Sequence, residues 1–379
     1  MSAKKNDDRK SIVILGGGAA GINTARPLSA KLDASKYALT LIDPRPFRVL
    51  LPATLRMVVS DKYNLASTES ALVPYDKLFH GGKGTFIQDS VQSITQQIGE
   101  SSGFLTLASG QTVPYDILVL ATGLAWSYPI AFPDSLGDVQ EYVKSRQDEF
   151  AGAENYLLVG GGAIGCELAG ELKDIWPAKD VTIVHGQRLL LNDSYSERYR
   201  RRVANDLAKR GVNLQLNELV PIDNITADSV TTQNGLKIAA GLVVKTTGAS
   251  GPNTAYIQSL GSGVLTPAGF VKVQPTLQLL DFPNVFAAGD IVEWPEQKQA
   301  IKAQDHAALV AKNVLLFVNS KQLKNYKTAF EAIVLTNGRA SGSSYFGVLW
   351  GIIIGGWLTA LIKSKNLLIP RFRSDSGLA

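Results

Sequence analysis

Short unbroken apolar runs, each closed by glycine or a polar turn, recur through the first three quarters of the chain. They are "SIVIL" (11–15), "YALTLI" (37–42), "ILVLA" (117–121), "YLLV" (156–159), "VTIV" (181–184) and "NVFAA" (284–288). Runs of this length without polar alternation predict strands buried on both faces, as in parallel sheets. Helical periodicity follows the first and fourth runs, and begins again near Gln299 in "QAIKAQDHAALVAKNVLLFV". The C-terminal part departs from this pattern. From Phe346 to Ile362 there is no formal charge, and Lys363 and Lys365 follow at once. As a helix the run would be roughly 25 Å long, at the short edge of what crosses a bilayer core of about 30 Å. Gly347, Gly351, Gly355 and Gly356 weaken a free helix, although Gly351 and Gly355 are spaced for close helix packing. Four readings stand open: a membrane span, a segment lying in the membrane interface, a hydrophobic hairpin, and a buried helix. Trp350 and Trp357 suit a headgroup boundary, and Lys363, Lys365, Arg371 and Arg373 suit anionic lipid.

One phrase is repeated. "SIVILGGGAAGI" at 11–22 returns as "NYLLVGGGAIGC" at 155–166, giving Gly16, Gly18, Gly21 and Gly160, Gly162, Gly165 at the same spacing. Each is a strand, a G-x-G-x-x-G turn and a helix start. The first glycine permits the tight turn, the second lets backbone approach a pyrophosphate, and the third brings helix and strand together. Unpaired N–H groups and the positive end of the helix dipole then hold phosphate. A single such turn is weak evidence; two copies in the right context indicate two dinucleotide sites.

The second strands of the two units end differently. The first ends at Asp43, 22 residues after Gly21, where a carboxylate accepts from a ribose hydroxyl. The second ends at His185, 20 residues after Gly165, with Arg188 just beyond. Without a carboxylate there, the repulsion of a 2′-phosphate disappears. The expectation is that NADH and NADPH are both used, with less than a tenfold difference; the alternative is that His185 merely packs at the strand end.

Composition narrows the class further. The chain has 379 residues, enough for two or three domains, and with 45% hydrophobic and 19% charged residues it is globular. Its one cysteine, Cys166, excludes an internal disulfide, a redox pair and a cysteine-rich metal site, and points to the cell interior. His80, His185 and His306 show no metal-ligand spacing. The N-terminus "MSAKKNDDRK" lacks the apolar core of a signal peptide, its acidic Asp7 and Asp8 fit a presequence poorly, and Ser2 stands where N-myristoylation needs glycine. A net charge of +5 and the cluster Arg198, Arg200, Arg201 and Arg202 raise the question of nucleic acid. Interleaved Glu197 and Asp206 make a solvated helix face the better reading, and no specific nucleic-acid partner is expected.

Two further phrases bring in a family. "YDILVLATG" (115–123) and "NVFAAGDI" (284–291) resemble the later flavin signatures of two-dinucleotide-binding flavoproteins. That resemblance implies FAD in the first unit, with Thr122 and Gly123 at the turn out of the FAD domain and Asp290 at the pyrophosphate and ribityl region. The fold expected is α/β, with two Rossmann-like dinucleotide-binding domains of the pyridine nucleotide-disulfide reductase type. The NAD(P) domain (126–247) is inserted in the FAD domain (1–125 and 248–318), and a small C-terminal region (319–379) follows. "VGGGAIGCELAGELKDIWPAKDVTIVH", "LLPATLRMVVS", "DHAALVAKNV" and "IKSKNLL" resemble the apoptosis-inducing-factor-like, mitochondrion-associated oxidoreductases, which include ferroptosis suppressor and fungal apoptosis-inducing-factor homologues. More distantly the chain resembles type II NADH dehydrogenases.

The resemblance implies an enzyme passing a hydride from NADH or NADPH to FAD, and then two electrons to a quinone, on the cytoplasmic side at a membrane, lipid-droplet or mitochondrial surface. The contact with the membrane would run through 346–373. The resemblance puts Glu167 near the nicotinamide and flavin, Lys363 on the acceptor side, and Pro52 and Arg56 near FAD. Glu167 also reads as an ordinary first-turn carboxylate, and Cys166 as a small core residue. The helix beginning near Gln299 would aim its dipole at the flavin, with Lys302 either adding a cation or standing as a surface lysine. A soluble reductase serving a protein or small-molecule substrate, or a redox signalling protein, remains the competing class.

Overall fold

A computed structural model describes residues 8–378, so the readings at Ser2 and Asp7 lie outside it. The chain runs through β1 (Lys10–Leu15), α1 (Ala19–Lys31), β2 (Tyr37–Asp43), β3 (Phe47–Val49), α2 (Leu51–Val59), β4 (Leu72–Pro74) and β5 (Thr85–Gln88). An antiparallel meander of β6 (Val91–Thr95), β7 (Gly103–Leu107) and β8 (Thr112–Tyr115) leads to β9 (Ile117–Leu120). Then come β10 (Leu124–Ala125), α3 (Leu136–Gly152), β11 (Asn155–Val159), α4 (Ala163–Ile175), β12 (Asp180–His185), α5 (Glu197–Ala208) and β13 (Val212–Leu216). The hairpin β14 (Ser229–Thr231) and β15 (Lys237–Ala239) precedes β16 (Leu242–Lys245). After β17 (Gly251–Pro252), β18 (Val285–Ala287) and α6 (Ala300–Phe317), the chain ends in β19 (Ala332–Thr336), β20 (Gly342–Phe346), β21 (Ile352–Gly355), α7 (Gly356–Thr359), a π-helical turn (Ala360–Ser364) and α8 (Ile369–Asp375).

Two parallel sheets carry the architecture. The first has the order β18-β9-β1-β2-β5, so that a strand near residue 286 lies beside strands from the first 120 residues. The second, β13-β12-β11-β16, lies wholly between those stretches in sequence. Helices cover the sheets, which is why the strands read as unbroken apolar runs: Ile12, Val13 and Ile14 have no accessible surface, and neither do Leu157 and Leu158. The two-residue pair β10 and β17 marks where the chain leaves the first unit and returns to it.

A second core joins the units. Leu50, Met57 and Val58 from the α2 region pack in one cluster with Cys166, Leu168 and Leu172 of α4 and with Tyr345, Leu367 and Phe372 near the C-terminus. The apolar run at 346–362 is neither a span nor a buried helix. It divides into the end of β20, a turn, β21 and α7, because Leu349, Trp350 and Gly351 all have positive φ (+47°, +65° and +90°) and break any helix there. Gly351 therefore serves a turn, and Gly355 lets the strand pass Arg202; neither packs one helix on another. Among the described residues, no helix is long and apolar enough to cross a membrane.

Candidate active site

The two glycine turns repeat each other atom for atom in kind. Gly16 has φ +95°, and a Cβ there would lie 2.5 Å from the Ala121 carbonyl oxygen; at Gly160, with φ +122°, it would lie 2.9 Å from the Thr246 carbonyl. A Cβ at Gly21 would stand 1.7 Å from the Gly16 carbonyl oxygen, and one at Gly165 would stand 2.0 Å from that of Gly160. The middle glycines differ from these. A Cβ at Gly18 or Gly162 would meet no protein atom within 4 Å. Both are N-caps without a side-chain capping bond, at the starts of α1 and α4. Open space in front of uncapped helix N–H groups is what a pyrophosphate requires, so both turns fit a dinucleotide.

At the strand ends, one backbone N–H is held in two ways. Asp43 Oδ2 accepts from Gly17 N–H at 2.6 Å, and Oδ1 from Arg45 N–H at 2.9 Å. Burial pushes its carboxyl above the usual range, against those bonds. In the second unit His185 Nδ1 accepts from Gly161 N–H at 3.1 Å. Burial holds the imidazole below its ordinary value, so at neutral pH the ring is uncharged and its proton sits on Nε2. That Nε2 is buried with no hydrogen-bond partner among the described residues. Arg188, exposed nearby, pairs with Glu197 at 3.0 Å. Of the arginine cluster, Arg201 and Arg202 pair with Glu197 and Asp206 one turn away on α5. Arg200 does something else: it is buried and donates to the carbonyls of Leu189 and Leu190, bracing the loop after His185.

Around the first turn, Thr122 Oγ1 donates to the Asn253 carbonyl at 2.6 Å and contacts the Tyr256 hydroxyl at 3.0 Å, while Gly123 takes φ +65°. Asp290 lies in the short turn after β18, its carboxyl pushed up to about 6 by burial. The preceding Gly289 donates its N–H to His306 Nδ1 on α6 at 3.2 Å. Gln299 is the N-cap of α6, one residue before its first turn. Lys302 is buried, and its ammonium is engaged by the Ala329 carbonyl at 2.6 Å, with Glu331 at 3.5 Å and Glu296 at 3.8 Å. It is not a surface lysine. Arg56 is likewise committed: Glu171 holds it in two bonds of 2.7 and 2.8 Å, and it donates to the Ser364 carbonyl at 2.8 Å. Pro52 lies in the first turn of α2.

Glu167 and Lys363 meet, although 196 residues separate them. Lys363 Nζ donates to Glu167 Oε1 at 2.7 Å and to the Val334 carbonyl at 3.0 Å, and Glu167 also accepts the Thr336 N–H. One turn further along α4, Glu171 holds Arg56, which in turn holds Ser364. Two carboxylates spaced i, i+4 on one helix thus fasten the π-helical turn that carries Lys363. Glu171 was not singled out from sequence; the signal was its i, i+4 spacing from Glu167 on a helix that is apolar up to Leu172 but for these two. The turn between β20 and β21 exposes Leu349 (78%) and Trp350 (101%), and α7 and the π-helical turn expose Trp357 (70%) and Leu361 (58%). Lys365 and Arg371 are exposed as well.

The profile of the family described as pyridine nucleotide-disulphide oxidoreductase matches residues 10–307. The chain belongs to this family. It is 46% identical over 323 residues to FAD-dependent oxidoreductase FVFD30 of Flammulina velutipes, covering 85% of this chain and 99% of that protein. Apoptosis-inducing factor homolog B of Dictyostelium discoideum is 29% identical over 395 residues, covering 97% of each chain. Ferroptosis suppressor proteins match over most of their length too. In fold, the sulfide:quinone oxidoreductase of Aquifex aeolicus superposes with a TM-score of 0.77 at 20% identity, over 97% of this chain and 92% of that one. The chain is therefore an FAD-dependent NAD(P)H oxidoreductase of the apoptosis-inducing-factor-like group. The disulfide chemistry in the family's name does not apply, since Cys166 is the only cysteine and burial pushes its thiol well up.

Proposed function

We propose that this chain oxidises NADH or NADPH and passes the two electrons to a quinone that it meets at a lipid surface. The net reaction is NAD(P)H + H⁺ + quinone → NAD(P)⁺ + quinol. When bound, FAD supplies the redox chemistry, taking the hydride and releasing two electrons. The chain's own part is to hold two nucleotides, exclude water and guide the acceptor. Gly16, Gly18, Gly21, Asp43, Thr122, Gly123 and Asp290 hold FAD; Gly160, Gly162, Gly165 and His185 hold the nicotinamide nucleotide.

The observation that carries the acceptor side is the exposed apolar hairpin, fastened through Lys363 and Glu167 to the helix whose N-terminus belongs to the nicotinamide site. Exposed tryptophan and leucine beside Lys365 and Arg371 suit the boundary of an anionic bilayer. Relatives in fold point the same way, since one is named for quinone and another is a type II NADH dehydrogenase. Lys363 is the group on the acceptor side, with Glu167 orienting its ammonium.

A double variant, Leu349→Ser with Trp350→Ser, changes only exposed residues of the turn between β20 and β21. It is expected to keep NADH oxidation with a water-soluble short-chain quinone within about twofold. It should lose at least tenfold in rate with a long-chain quinone carried in anionic vesicles, and it should no longer sediment with them. Unchanged turnover of the vesicle-borne quinone would overturn the lipid-surface reading and favour a soluble reductase.

A further inference from the structure

Arg48 is a buried cation of the first unit whose Nη1 has no partner among the described residues. It lies in β3, five residues beyond Asp43, with only 5% of its surface exposed. Its guanidinium lies between the ring of Phe372, a member of the second core, and Tyr75, whose hydroxyl is close enough to bear on its charge. Tyr75 in turn donates its hydroxyl to the Gly17 carbonyl at 3.0 Å. Arg48 therefore stands one side chain away from the first glycine turn.

The Nη1 atom of Arg48 is buried and has no hydrogen-bond partner among the described residues. Desolvation lowers the guanidinium to about 10, and the support of Tyr75 and Asp375 does not offset it. Asp375 is itself engaged, accepting from Gln304 at 3.1 Å. The ring of Phe372 on α8 lies 5.0 Å from the guanidinium carbon, a cation–π contact. A buried arginine with a donor left over and too little negative charge is an incomplete ion pair. The missing partner is a polyanion, and the adjoining turn is built for one.

We infer that Arg48, held by Phe372, is a ligand of the FAD diphosphate, supplying the positive side chain that the first glycine turn lacks. The resemblance puts Arg56 near FAD; its guanidinium is paired with Glu171, whereas Arg48 keeps a donor without a partner among the described residues. The inference rests on FAD binding alone and stands or falls independently of the quinone reading.

Apo-protein is prepared from the parent and from Arg48→Met, Arg48→Lys and Phe372→Leu, and FAD affinity is measured by flavin fluorescence at low and high salt. Arg48→Met is expected to weaken FAD about thirtyfold, the size of a lost charge-assisted hydrogen bond, and to flatten the salt dependence of binding. Its apo melting temperature should match or exceed the parent's, because an uncompensated charge has been removed. Arg48→Lys should be at least fivefold weaker than the parent, and Phe372→Leu about threefold. An Arg48→Met affinity within threefold of the parent overturns the inference, and so does a weakened affinity with the parent's full salt dependence. Where Arg48→Met does not fold, Arg48→Lys decides, and parental affinity in it is the overturning result.

Discussion

The two glycine-turn units share one backbone design and differ in what surrounds it. In the first, the turn is held by a carboxylate, Asp43, and the sheet beside it is completed from far away in sequence by β18, which Asp290 and α6 follow. In the second, the turn is held by a neutral imidazole, His185, and nearly everything nearby lies between residues 155 and 246. A histidine recurs in the first unit as well, but displaced: His306 Nδ1 takes the N–H of Gly289, as His185 Nδ1 takes that of Gly161. The lesson is that the turn geometry is a local invention used twice. What differs between the two units is the tertiary surroundings.

Exchanging the third glycines is the hardest blow to that symmetry. Gly21→Ala would force a methyl to 1.7 Å from the Gly16 carbonyl and should disrupt the unit on which FAD and the first core depend. A loss above about 4 kcal/mol in thermal unfolding, with colourless protein, is expected. Gly165→Ala meets a similar clash at 2.0 Å, in the second unit. It should yield yellow protein that no longer reduces its flavin with NADH. If Gly165→Ala loses FAD as readily as Gly21→Ala does, the units are not separable in the way described.

The displaced histidine gives a pH-dependent difference. Burial holds His306 down at about 4, with Lys298 and Lys302 adding to the effect, and the Gly289 N–H on Nδ1 favours the neutral ring as well; Glu296 faces Nε2 at 3.0 Å. In the unfolded chain the ring titrates near 6.5. The folded value is the lower one, so the native state binds the proton less readily. Its stability is full above about 6.5 and falls as the pH drops toward 4. At pH 5 the loss relative to pH 7 is about 2 kcal/mol from this residue. His306→Gln removes it, so the parent should lose about 2 kcal/mol more than the variant between pH 7 and pH 5 in denaturant titrations. Asp290, raised to about 6, titrates in the same window with the opposite sign, but it is present in both proteins. Equal acid sensitivity would mean that His306 is not buried as a neutral base.

Much of this was legible in the sequence because it is local. "GGGAAG" and "GGGAIG" determine a turn within six residues, and the apolar runs before them require sheets covered on both faces. The C-terminal run was ambiguous for the opposite reason. Apolar content without charge is common to a span, a hairpin and a buried helix, and the choice came from positive φ at Leu349 and Trp350, two residues with no local preference for it. Arg48, Arg56 and Lys302 show the same limit in the site. An arginine or lysine in a loop or helix has no spacing signal, and only the fold reveals that Glu171 satisfies Arg56 while Arg48 keeps a donor free. Glu167 and Lys363, 196 positions apart, became a pair only when the chain between them folded.

The smallest expected effect tests the sharpest contrast between the units. His185→Asp gives the second turn the same side chain that closes the first. The carboxylate would accept the Gly161 N–H as Asp43 accepts that of Gly17, so the turn should survive. The new negative charge would then face the ribose: it accepts from a 2′-hydroxyl and repels a 2′-phosphate. In the parent, His185 presents a neutral Nε2–H, and Arg188 can exchange Glu197 for phosphate in an exposed pair that costs little to break. The parent should therefore use NADH and NADPH with less than a tenfold difference in kcat/KM. The variant should lose about tenfold with NADPH, in KM, and change less than threefold with NADH. A hundredfold preference for NADH in the parent would remove the role given to His185 and leave it as packing at the strand end. Equal losses with both nucleotides would mean that the imidazole supports the turn in a way a carboxylate cannot, and the two units would then be alike only in backbone.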